Sequence, residues 1–179
     1  MKTIYKIRSF WEEVKLKTRV LFAAVKAPWN GDITPVGRLY VKHIKADGSV
    51  EDYGLMSTKV VTDAGVAFIV DAFQNITEVE TFQFHGSGTT NTAESAAQTT
   101  LIAEVATRAT GSRGEGASAN IYRTVGTISY SGTFAIVEHG VFSASSAGTM
   151  LDRSIFAAIN VISGDSIQFT YELTFPSGS

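Results

Sequence analysis

The most regular stretch of the chain lies near its C-terminus. Ile167, Phe169, Tyr171, Leu173 and Phe175 alternate with Gln168, Thr170, Glu172 and Thr174. Apolar residues on one side and polar residues on the other are the mark of a half-buried strand. Residues 120–130, 133–143 and 149–161 read as further strands, separated by Ser131-Gly132, by Ser145, Ser146 and Gly148, and by Ser163-Gly164-Asp165. Residues 38–44 also alternate. Asp47-Gly48 then predicts a hairpin of the type that wants positive φ at both central positions, with residues 50–59 as the return strand. Residues 79–85 read as one more strand. Short strands joined by Gly/Ser turns predict a mainly β protein, an antiparallel meander closed into a β-sandwich or barrel.

One segment changes period. Val66, Ile69, Val70 and Phe73 fall at i, i+3, i+4 and i+7 after Thr62-Asp63, and Asn75 can end the run. This predicts a single short helix over about 62–74, its apolar face packed on a sheet. Near the N-terminus, Ser9-Phe10-Trp11-Glu12 fits a capping box, so a helix over about 9–26, stopped by Pro28, is one reading. Residues 20–25 fit a strand equally well. The polar run 86–92 reads as a loop, 93–100 as one or two helical turns, and the glycine-rich 111–116 as exposed. The expected organisation is an N-terminal docking arm over 1–30 and a single β-rich domain over 31–179.

Charge sharpens this division. Residues 1–26 hold seven Lys/Arg against Glu12 and Glu13, a charge of +5, and the rest of the chain carries −7. The basic segment also carries Phe10, Trp11, Leu16, Leu21 and Phe22, more large apolar groups than phosphate binding requires. A solvated helix face is one reading of this segment; the other, favoured by these apolar groups, is an arm that docks on a protein partner, with no nucleic acid and no membrane. The docking residues expected there are Lys6, Arg8, Phe10, Trp11, Lys15, Lys17, Arg19, Phe22 and Trp29, since aromatic residues and arginine are the usual interface anchors. Charged residues make up only 18% of the chain, which fits a surface partly covered by neighbouring subunits. At 179 residues the chain suits one domain with a substantial core. It has no cysteine, which excludes disulfides and thiolate metal sites. No apolar run reaches the ~18 residues that cross a bilayer, and residues 20–25 read as structural rather than as a signal segment.

Candidate chemistry is sparse. His43, His85 and His139 lie on three separate predicted strands without the spacing of a metal motif, so each is expected to bond a neighbour or face solvent. Neither a nucleophile elbow nor a P-loop is present. Glu104, Glu138, Asp152, Arg123 and Arg153 sit in apolar strand surroundings. Outward-facing strand positions are the expectation for them, and a buried or interfacial charge network is the alternative. No catalytic residue, cofactor site or metal site is expected.

Several phrases resemble a group of small virion structural proteins of tailed bacteriophages. They include Tyr53-Gly54-Leu55, Thr62-Asp63-Ala64-Gly65-Val66-Ala67-Phe68-Ile69-Val70-Asp71-Ala72-Phe73-Gln74-Asn75, Phe84-His85-Gly86-Ser87-Gly88-Thr89-Thr90, Glu115-Gly116-Ala117-Ser118-Ala119-Asn120-Ile121-Tyr122 and Leu151-Asp152-Arg153-Ser154 with Gly164-Asp165-Ser166-Ile167-Gln168-Phe169. The resemblance covers about two thirds of the chain and carries no catalytic motif. It implies a non-enzymatic capsid decoration (cement) protein. Such a protein would be a homo-oligomer, a trimer, held on the capsid surface by the major capsid protein or other virion proteins, with the arm as its fastening. A tail-fibre receptor- or carbohydrate-binding module is the alternative it implies.

Overall fold

A computed structural model describes residues 35–58, 60–76 and 82–176. Residues 35–176 form one compact unit. Among the described residues it contains two five-stranded antiparallel sheets and one helix. The first sheet orders its strands β2 (Val50–Ser57), β1 (Val36–Ile44), β10 (Ser166–Thr174), β7 (Ile121–Ser129) and β6 (Ser112–Glu115). The second orders β3 (Val60–Val61), β9 (Met150–Val161), β8 (Phe134–Phe142), β4 (Phe84–Gly88) and β5 (Glu104–Thr110). The expected β-sandwich with one short helix is what forms. Its order is not a simple meander, because β8, β9 and β10 divide between the sheets.

The alternation in β10 builds the centre of the first sheet. Ile167, Phe169, Tyr171 and Leu173 are buried, and the polar residues between them are half-exposed. β1 and β7 flank β10 in unbroken register over nine residues each. Leu39, Val41, Ile128, Ile136, Ile159 and Val161 complete the core around Phe169. Along one side the chain passes from the second sheet to the first at Gly111, between the ends of β5 and β6. A Cβ there would press on Thr124 Oγ1 and His85 Nε2, so glycine is what lets the two sheets approach at that corner.

The helix α1 (Asp63–Phe73) matches the sequence expectation in span. Thr62 caps it: its hydroxyl accepts from the Gly65 amide at 3.0 Å and donates to the Met150 carbonyl, which stabilises the first turn. A Cβ on Gly65 would come within 2.8 Å of Leu151 Cα, so the first turn lies against β9. The packed face differs from the expected one. Gly65, Phe68 and Ile69 meet the sheet, with Phe68 edge-on to Phe82 at 4.8 Å, while Val66, Val70 and Phe73 point away. The helix is apolar nearly all round, so periodicity cannot choose a face.

Four further expectations need correction. Gly86, Ser87 and Gly88 are not loop but the buried half of β4, tucked under Leu101, Phe142 and Glu138. No helical turn forms over 93–100, which runs as an irregular loop. Of residues 111–116, expected to be exposed, Gly111 is buried, whereas 112–115 are exposed but pair with β7 as an edge strand. In the 45–49 turn only Gly48 is left-handed, at φ 81°. Asp47 instead accepts from the Ser49 amide and hydroxyl, an Asx turn in place of the doubly left-handed hairpin.

Candidate functional site

The expected docking residues of 1–30 lie outside the described residues, as do residues 77–81. Within the described body three groupings of side chains stand out: a buried ion pair, a polar layer between the sheets, and an apolar ridge on α1.

Glu138 and Arg153 sit on neighbouring strands β8 and β9, both almost free of solvent contact. Arg153 Nε and Nη2 donate to Glu138 Oε2 at 2.9 and 2.7 Å. Arg153 Nη1 donates to the Thr92 carbonyl and to Gln98 Oε1, and Glu138 Oε1 accepts from the Ala103 amide. Glu94 accepts from the Ile155 amide at 2.7 Å. The pair therefore clamps the 89–103 loop onto the outer face of the sheet. Of the two sequence readings, the buried network is correct for Glu138, Asp152 and Arg153, whereas Glu104 and Arg123 remain exposed. The strands do face outward at Glu138 and Arg153, but a loop, not water, lies over them.

Glu104 belongs to a smaller, separate contact. Arg108 holds it through two hydrogen bonds of 2.6 and 3.0 Å, stacks 3.4 Å above the Phe142 ring and donates to the Ala144 and Ala147 carbonyls. Residues four apart on a flat strand lie too far apart for this. β5 bulges against β4, with Ala106 left-handed at φ 62°, and the bulge brings the two side chains together.

All three histidines are buried. His43 reaches Asp165 at 2.8 Å, and Asp165 also accepts from the Ala46 and Ile162 amides. These amide hydrogen bonds, that from Ile162 foremost, hold the Asp165 carboxyl below its ordinary range. His85 and His139 face the interior together. His85 Nδ1 lies 3.0 Å from His139 Nε2, and His85 Nε2 lies 3.1 Å from Thr124 Oγ1 on the opposite sheet. His139 stacks on Phe169 at 4.4 Å. Burial pushes His85 down to about 4 and, with His85 beside it, pushes His139 well below the ordinary histidine value. Asp152 enters the same layer from β9. Burial pushes its carboxyl up to about 7, against the hydrogen bond from Ser154 at 3.0 Å. The Tyr171 hydroxyl donates to it at 3.4 Å, and burial raises that phenol well above its ordinary value. These groups bond to one another rather than opening on a cleft. Among the described residues no cluster of three or more His, Cys, Asp or Glu could hold a metal ion. No described helix is long and apolar enough to cross a membrane.

The outward side of α1 is the third grouping. Val66, Val70, Phe73 and the following Ile76 form a ridge, with Phe73 84% and Ile76 68% exposed. Beside it runs an open groove of about 430 Å³ lined by Ala64, Ala67, Phe68, Asp71, Ser143 and Thr149. Asp63 and Asp71 are the only charges on the helix. A second open groove, lined by Gln83, Arg113, Glu115 and Tyr122, follows the β6 edge. The sequence did signal the ridge, since the period-3.6 pattern picks out Val66, Val70 and Phe73, but it assigned them to the core.

Comparison with known proteins adds no relative: no protein-family model, no curated protein and no solved structure matches this chain.

Proposed function

We propose that this chain is a non-catalytic structural protein of a tailed-phage virion, of the capsid decoration type, that acts by packing apolar surface against neighbouring subunits. The apolar ridge of α1 carries the reading. A helix apolar on both faces belongs in an interior, yet only the Gly65–Phe68–Ile69 side is covered by this chain's described residues. A contiguous ridge that includes an aromatic residue 84% exposed has the composition of an interface core. The body suits such a role mechanically. Its interior polar groups are bonded mainly to one another, and the Glu138–Arg153 clamp fixes its longest loop. The phrase-level resemblance to phage virion proteins supplies the assembly.

The partners in this reading are the major capsid protein or other virion proteins, together with further copies of the chain. Binding energy available only in the assembled shell then stabilises that shell. Electron microscopy of the virions that carry the protein tests the proposal. The expected result is density for the sandwich on the capsid surface with α1 against a neighbouring subunit. Purified particles that lack the protein would refute it.

A further inference from the structure

The His85–His139 pair sits where the two sheets meet, and its hydrogen bonding has room for only two ring protons. Four ring nitrogens are involved. One proton bridges His85 Nδ1 and His139 Nε2, which lie 3.0 Å apart. His85 Nε2 either donates to Thr124 Oγ1 or accepts from it. His139 Nδ1 is fully buried and has no partner among the described residues. With both rings neutral it can remain a bare acceptor: His139 then donates to His85, and His85 donates to Thr124. A third proton on the pair, whichever ring formally carries it, must place an N–H on His139 Nδ1, where no acceptor stands. A buried unanswered donor, here part of a cation, is among the most costly groups a protein interior can hold.

The surroundings offer no relief. Phe169 of β10 covers one face of His139. Gly126 of β7 leaves its Cα directly against the His85 ring, and Gly111 lies beside His85 Nε2. From β9 the facing groups are Asp152 and Ser154, bonded to each other, and from β10 the Tyr171 hydroxyl, which donates to Asp152. Tyr130, beyond β7, is bonded to Ser87 of β4. Glu138 and Arg153 neighbour these strand positions in sequence and so face the opposite side of the sheet. Among the described residues the carboxyl that faces this pair is Asp152, and burial favours its neutral form.

We propose that the Thr124–His85–His139 chain is an acid-sensitive latch between the two sheets, closed while both rings are neutral and released when the pair takes up protons. Release and protonation are then one event, because the closed sandwich cannot accommodate the third proton. Acidification separates β4 and β8 from β7 and β10, and both rings charge once water reaches them. Closure on return to neutral pH reverses the proton uptake.

The test follows the histidine ring protons of the full chain by NMR from about pH 7.5 to 3.5, alongside binding of a dye that reports exposed apolar surface. The expected result is that two rings stay silent through the ordinary histidine range, then change together with dye binding in one step taking up about two protons. In His139→Phe that step becomes shallower and moves to lower pH by about one unit or more. Asp165→Asn, which alters the separate Asp165–His43 contact, keeps the two-proton steepness. A His85 or His139 ring that titrates singly near 6.5 with the sandwich intact would overturn the proposal, as would an unchanged midpoint in His139→Phe. If that variant does not fold, the wild-type ring titration still decides the matter.

Discussion

Arg153 makes four hydrogen bonds from a position that is 1% exposed. Desolvating a guanidinium and a carboxylate is costly, and the pair survives because nearly every donor and acceptor is answered. Removing one partner leaves the other charge buried alone. Arg153→Met is therefore expected to destabilise the body by about 3–5 kcal/mol, measured by urea unfolding, and to raise proteolytic sensitivity over 89–103 first. A loss below about 1 kcal/mol would mean that the loop is not held by this pair. Residue-scale features of this kind were only partly legible. Apolar neighbours at Glu138 and Arg153 marked them as unusual, but a sequence does not say that a distant loop covers the outer face of a sheet. The meeting of His85 and His139, 54 residues apart, depends on strand order, which alternation does not encode.

At the scale of elements, α1 separates what is local from what is not. Its span was readable because the cap and the period are local chemistry, and Thr62 forms the expected hydrogen bond to Gly65. Thr62→Ala is expected to cost about 1–2 kcal/mol, with the loss read from thermal unfolding. The face it buries was not readable, because Ile69 of the expected face packs inward beside Phe68 while Val66, Val70 and Phe73 turn outward on a helix with few polar residues. The second half of β4 was hidden for a different reason. Glycines usually mark loops, yet here Gly86 and Gly88 are required where Leu101, Phe142 and Glu138 crowd the strand. Gly88→Val is accordingly expected to unfold or severely destabilise the body, as judged by loss of cooperative melting, whereas Gly114→Val, at a glycine with open space around it, is expected to be tolerated.

The whole body carries opposing pH dependences in one interior layer. His85 has a folded value of about 4 against an ordinary 6.5, so its contribution is present above about 6.5 and is lost as pH falls towards 4, on the order of 3 kcal/mol in all. Asp152 has a folded value of about 7 against an ordinary 3.8. Its contribution is complete below about 3.8 and is lost as pH rises through 7. Asp152→Asn should therefore abolish a fall in stability of about 1 kcal/mol between pH 6 and pH 8, measured by chemical denaturation at both values. The sandwich that holds these groups was the most legible feature of the chain, because the alternation in β10 and the Gly/Ser turns are repeated local signals. The sheet order was not, since it depends on which strands cross between layers.

Subunit packing through α1 is the claim on which the functional account rests, and it can be isolated from folding. Val70 and Phe73 point away from the core, so a Val70→Ser, Phe73→Ser double variant should melt within a few degrees of wild type. Sedimentation velocity over a wide concentration range, with and without purified particles, is the direct measurement. Wild type is expected to assemble and bind particles, and the double variant to stay monomeric and bind at least tenfold more weakly. Equal assembly and equal particle binding by the two proteins would contradict the claim.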